Sequence, residues 1–356
     1  MKRLEKFREK LKEMGIDGAI ILNELNQYYL SGFAFTDGLL LITHNSAHLI
    51  TDFRYFEMAE NRADKGYKVV MPENKNEYIA KIIAEDSVKS LGFEGDFVPY
   101  NVYYYYKEKY PSVEFVNIGD TIEKQRQLKD ADEIAIIQKA QDITDAAFSH
   151  LLSVIKTNMT EIEVAAELEY YMRKFGADDP GFDTIAVSGD ASALPHGTPR
   201  NVKLKKGFLT LDFGAKYKGY TADMTRTLVI GKADEKIKKL YNTVLKAQLA
   251  ALDFLKEGQD CGEADKVARD IIDAEKEYFG TFGHSLGHSI GLQVHEAPGL
   301  SKRYFGYKMR AGELYSVEPG IYLYGKYGCR IEDLVAIEKD GVHNFTHSTK
   351  ELIEIY

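Results

Sequence analysis

The chain has 356 residues, 44% of them hydrophobic and 28% charged, with a formal net charge of −9. That length exceeds one ordinary core, so two domains are expected. The acidic balance offers no footprint for nucleic acid, and no apolar run reaches the roughly 20 residues that span a bilayer.

The N-terminal segment spaces Leu4, Phe7, Leu11 and Met14 at helical intervals, predicting an amphipathic helix over 3–15 with no apolar signal segment behind it. Asp17-Gly18 ends it, and Ala19 to Leu22 reads as a buried strand. Leu39 to Thr43 and His48 to Thr51 flank a turn at His44-Asn45-Ser46, which predicts a hairpin. A helix over 76–90 and a strand over 91–93 follow. This alternation describes a compact α/β domain over residues 1–123. The run Tyr103 to Tyr106 suits an edge or an interface better than a binding site.

From Lys124 the pattern changes, and residues 124–356 form the expected catalytic domain. Ile134, Ile137, Ala140, Ile143 and Ala147 mark one face of a long helix. Thr160 and Glu163 have capping-box spacing, and Gly176 closes the second helix. A strand over 184–188 leads to a polar loop with His196. Strands over 208–213 and 225–230 are joined by a Gly- and Tyr-containing hairpin. Helices over 235–256 and 263–278 precede a strand-rich C-terminus. The two cysteines, Cys261 and Cys329, lie far apart, which argues against disulfides or a cysteine zinc site and suits a cytoplasmic protein.

The stretch Gly283 to Glu296 reads GHSLGHSIGLQVHE and holds His284, His288 and His295, three of the nine histidines. A single histidine is ordinarily a satisfied structural residue; three among glycines, which let backbone approach an ion closely, suit a site. Carboxylates supply its partners. Asp212 and Asp223 flank one predicted hairpin, and Glu318 and Glu332 flank a second turn-rich segment. Each pair follows two helices, which points to an internal duplication. One such carboxylate alone is a solvated charge or a turn cap. Four converging beside Phe213, Val317 and Ile331 would repel one another unless divalent cations lay between them. His44, His48, His150, His343 and His347 lack such company and read as surface or packing residues.

In this order, DFGAKYKGYTADMTRT, GHSIGLQVHE, VEPG and RIED resemble the pita-bread metallopeptidases: prolidase, aminopeptidase P and methionine aminopeptidase. The resemblance extends to Asn26 to Phe33 and Thr51 to Tyr55, which look like the N-terminal domain of the Xaa-Pro branch. It implies an α/β (α+β) chain, with a smaller creatinase-type α/β domain before a C-terminal pita-bread domain built on a duplicated sheet-and-helix motif. It implies two divalent ions on Asp212, Asp223, His288, Glu318 and Glu332, with Asp223 and Glu332 bridging and a metal-bridging hydroxide as nucleophile. An oxygen-dominated set with one imidazole suits Mn2+, with Co2+ or Zn2+ as substitutes. Glu318 would carry the proton to the leaving nitrogen, and His295 would bind the scissile carbonyl. His284 and His196 would face the substrate, and Arg330 would orient a ligand carboxylate.

The resemblance also implies proline-containing peptides as substrates and a homodimer, with neither nucleic acid nor membrane as partner. The favoured activity is an Xaa-Pro aminopeptidase; the alternative is an Xaa-Pro dipeptidase, prolidase, and a remote one is a non-catalytic binding member of the fold. A dipeptidase needs a cation for the free carboxylate of its substrate. Gly299 brings none where prolidases carry an arginine, which leaves Lys302 or Arg303. Ser289 departs from the glycine usual after the ligand histidine, and Cys329 beside Arg330 raises the question of oxidation.

Overall fold

The computed structural model describes residues 2–356. The chain divides into two compact units, Met1–Arg126 and Gln127–Tyr356. No helix among the described residues is long and apolar enough to cross a membrane.

In the first unit the helix Lys2–Glu13 buries Leu4, Phe7 and Leu11, the face set by its spacing. A six-stranded mixed sheet runs in the order Lys68–Val70, Ala47–Ile50, Leu39–Thr43, Gly18–Ile21, Ser90–Phe93 and Glu114–Asn117. The expected hairpin is one of its two antiparallel pairs, with Leu39 opposite Ile50 and Ile42 opposite Ala47; Gly18–Ile21 and Leu39–Thr43 form the other. The helix expected over 76–90 spans only Lys75–Glu85. Ser87 takes a φ of +56°, and the amides of Lys89 and Ser90 donate to the Asp17 carboxylate, which draws them into the sheet instead. The tyrosine run lies in the helix Tyr100–Lys109, where Tyr106 is buried while Tyr104 and Tyr105 are exposed.

The second unit repeats one plan. The helices Ala131–Val154 and Glu161–Lys174 carry capping boxes at Asp130/Glu133 and Thr160/Glu163. Ile143, Ala147, Val164 and Leu168 bury against Leu209, Leu211 and Leu228 of the strands Gly207–Phe213 and Met224–Ile230. The second helix pair, Glu235–Phe254 and Cys261–Ala274, buries Leu240, Val244, Ala264 and Ala268 with Val317 and Val335 of the strands Leu314–Val317 and Asp333–Ile337. The last of these helices starts earlier and ends sooner than its apolar spacing predicts. Asp260 caps it by accepting from the amides of Gly262 and Glu263, so the first turn is fixed by the cap.

Candidate metal centre

Asp212 lies at the end of Gly207–Phe213, opposite Thr225 in the antiparallel register, and Asp223 lies just before Met224–Ile230. Glu318 follows Leu314–Val317, while Glu332 sits between Tyr327–Arg330 and Asp333–Ile337. His288 comes from the short strand Gly287–Ser289. Two glycines let these backbones approach. A Cβ on Gly214 would fall 1.8 Å from the Ala222 carbonyl oxygen, and one on Gly287 would fall 1.9 Å from that of Ser316. Any side chain there would push apart the segments bearing Asp212 and Asp223, or His288 and Glu318.

Every site residue expected from the sequence lines one cavity of about 360 Å³: His196, Asp212, Asp223, His284, His288, His295, Glu318, Arg330 and Glu332. Ligand atoms of Asp223, His288 and Glu332 lie within 4.8 Å of one another. His288 Nε2 is 3.6 Å from Asp223 Oδ2 and 3.4 Å from Glu318 Oε1. Its Nδ1 lies 3.1 Å from the Ser289 carbonyl oxygen. A carbonyl only accepts, so Nδ1 carries the proton. Burial, with His295 adjoining, pushes the ring's pKa down to about 4, so the ring is neutral. The Nε2 lone pair therefore faces the carboxyl groups of Asp223 and Glu318, and the ring has no proton to offer them.

The carboxylates are under the same stress. Burial raises Asp223, and Glu332, Asp212 and Glu318 raise it further. Burial raises Glu332, with Glu318 and Asp212 adding to the shift. Burial also lifts Glu318 to about 7, although Arg330 pulls the other way. Asp212 Oδ1 is buried and accepts no hydrogen bond. Four carboxylates with one guanidinium, a neutral imidazole facing inward and an orphaned oxygen fit divalent cations held mainly by oxygen.

Around the ligands the protein supplies few donors. Arg330 Nη2 lies 2.6 Å from Asp212 Oδ2, and its Nε donates to Thr225 Oγ1 at 3.0 Å. Thr225 Oγ1 in turn donates to Glu332 Oε2 at 2.6 Å. Ser316 Oγ donates to Glu318 Oε1 at 3.2 Å. The sequence reading missed Thr225 and Tyr322. Thr225 had a signal, being two residues beyond Asp223 and so on the same side of an extended strand. Arg330 Nη1 donates to the Tyr322 hydroxyl at 2.9 Å, which lies 2.8 Å from His284 Nε2. His284 Nδ1 lies 2.8 Å from the Ser285 carbonyl, so Nδ1 is protonated and Nε2 accepts from Tyr322. Both ring nitrogens of this histidine are thus engaged within the protein. The His295 ring stands edge-on to His288, with centroids 4.4 Å apart. Glu296, the next residue in the chain, forms a buried ion pair with Lys129 at 3.2 Å.

A second cavity of about 560 Å³ shares His284, Ser285 and His288 with the first. Lys302 and Arg303 line it, and among the described residues neither makes an ion pair.

Residues 135–339 match Metallopeptidase family M24, and residues 3–128 match the Creatinase/Prolidase N-terminal domain. The Xaa-Pro dipeptidase of Pyrococcus horikoshii is 39% identical over 354 residues, covering 99% of this chain and 98% of that protein. A solved Xaa-Pro dipeptidase from Bacillus anthracis superposes with a TM-score of 0.94 at 44% identity, covering 100% of this chain and 99% of that one. The X-Pro aminopeptidase from Thermotoga maritima superposes with a TM-score of 0.91 at 36% identity, covering 99% of each chain.

Proposed function

The chain belongs to Metallopeptidase family M24, and from that premise we propose that it is an Xaa-Pro dipeptidase. In this reading Asp212, Asp223, His288, Glu318 and Glu332 hold two divalent ions, with Mn2+ suited best by the oxygen-rich set. The observation that carries the metal assignment is the neutral His288, whose free Nε2 points at Asp223 and Glu318. When bound, the ions supply Lewis-acid activation of water and of the scissile carbonyl. Glu318 takes up the proton released by the attacking water and delivers it to the departing proline nitrogen. His295 donates to the oxygen of the scissile carbonyl as charge develops there. Arg330 keeps Asp212 in place, and the Thr225 hydroxyl keeps Glu332 in place.

The dipeptidase reading replaces the aminopeptidase expected from the sequence. Two of the relatives described above are dipeptidases, and both are more similar to this chain than the aminopeptidase is. The uncommitted Lys302 and Arg303 beside His284 offer a cationic wall for the carboxylate that ends a dipeptide. The test compares Ala-Pro with Ala-Pro-Ala on Mn2+-loaded enzyme. We expect Ala-Pro to be cleaved with the higher kcat/KM, and Lys302→Ala with Arg303→Ala to raise KM for Ala-Pro by about tenfold, the loss of one good ionic contact. Preferential cleavage of Ala-Pro-Ala would restore the aminopeptidase reading.

A further inference from the structure

Behind the carboxylates lies a second buried group of charges that the reaction does not use. Arg226 is three residues beyond Asp223 and is only 2% exposed. Its Nη1 donates to the carbonyl oxygens of Thr225 and Glu332. Its Nη2 donates to Asp333 Oδ1 and to the Ser348 carbonyl, both at 2.8 Å, and its Nε to the Thr349 carbonyl at 2.9 Å. One side chain thus ties the strand that follows Asp223 to the peptide that bears Glu332. The Glu332 amide reinforces the tie by donating to the Thr225 carbonyl at 3.1 Å. Asp333 is fully buried, and its Oδ2 accepts from Gln248 at 3.1 Å, Asn344 at 2.9 Å and Lys350 at 2.6 Å.

We propose that Arg226, Asp333 and Lys350 form a positioning cluster that clamps the Glu332 backbone to the strand beyond Asp223 and thereby sets the affinity of the centre for divalent cations. The inference rests on the metal-ligand reading above. Three observations carry it. A buried ionic cluster is a poor way to stabilise a core, since an apolar group of similar volume avoids the desolvation cost, so its value lies in fixing geometry. The Arg226 guanidinium spends two of its contacts on the carbonyls of Thr225 and Glu332, the residues whose side chains meet at the centre. The Glu332 amide also donates to the Thr225 carbonyl at 3.1 Å, so the clamp joins two backbones that are already in register and holds them there.

The test titrates the metal-free, full-length chain with Mn2+ alone. Electron paramagnetic resonance reads both the loss of free Mn2+ signal and the appearance of the spin-coupled signal of paired ions. Arg226→Lys keeps one charge but cannot span both carbonyls. Lys350→Met removes the outer cation, whose side chain is 21% exposed, and keeps the question open to measurement should Arg226→Lys fail to fold. Each variant is expected to bind Mn2+ about 10–100-fold more weakly, the usual cost of losing a group that orients a metal ligand. The coupled signal should shrink and return with excess Mn2+. Folded variants that titrate as the wild type does, with the coupled signal intact, would overturn the proposal. A wild-type chain that takes up no Mn2+ would instead overturn the ligand reading, and the clamp with it.

Discussion

Glu332 and Asp333 are neighbours in the chain and equally buried, yet their surroundings shift them in opposite directions. Glu332 faces Glu318 and Asp212, receives one hydroxyl, and is raised by burial and by those carboxylates. Asp333 is also penalised by burial, but Arg226, Lys350 and Asn344 outweigh the penalty and hold its carboxyl below the ordinary range. One peptide bond separates a carboxylate whose needs the protein meets in full from one left short of positive charge. Burial alone does not tell the two acids apart, whereas the balance of donors and cations around them does.

The largest effects should come from exchanging these two fates. Glu332→Gln should lower turnover by more than about 100-fold, beyond the range for groups one step removed from a metal. The same change relieves repulsion, so at pH 8 the metal-free variant should melt no lower than the metal-free wild type. Asp333→Ala should do the reverse to the fold and destabilise it by about 3–5 kcal/mol, because Arg226 and Lys350 lose their buried partner. Denaturant unfolding of the metal-free proteins measures both, and an Asp333→Ala chain as stable as wild type would erase the distinction.

A smaller effect is expected on pH. Glu318 is raised from 4.5 to about 7, so the folded metal-free chain binds a proton that the unfolded chain has released. That stabilisation is complete below about 4.5 and is lost as pH rises through about 7. Divalent ions take the place of such protons, so the rise in Tm on adding Mn2+ should be small at pH 5 and larger at pH 8. Equal shifts at the two values would mean that these carboxylates do not exchange protons for metal.

The smallest effect concerns Cys329, two residues before Ile331 and fully buried. Burial pushes the Cys329 and Cys261 thiols up to about 12, which leaves negligible thiolate at neutral pH. Iodoacetamide should therefore leave native activity unchanged and label both cysteines only after denaturation. Rapid inactivation of the native enzyme would show that the centre opens far enough to expose the strand beside Arg330.

Much of the centre was legible because its chemistry is written in short runs. Asp212 and Asp223 bracket a hairpin, Gly287 precedes His288, and Glu332 follows Arg330. The caps at Thr160 and Glu163 and the spacing of Leu4, Phe7 and Leu11 specified their helices through local contacts. Tyr322, Thr225 and the Lys129–Glu296 pair were less legible, since each acts through a partner far away in sequence. Arg226 stood inside a recognised run, but nothing local indicated that its guanidinium reaches Ser348 and Thr349.

The sequence by itself determined the fold class, the helix caps and a donor set rich in carboxylate with few histidines, because residue type, spacing and backbone preference are local properties. Tertiary structure alone decided which nitrogen of His288 is free, why both nitrogens of His284 are engaged, and which of two adjacent acids is satisfied. Those outcomes depend on desolvation and on donors contributed by residues as distant as Gln248 and Lys350, and such terms exist only once the chain has closed on itself.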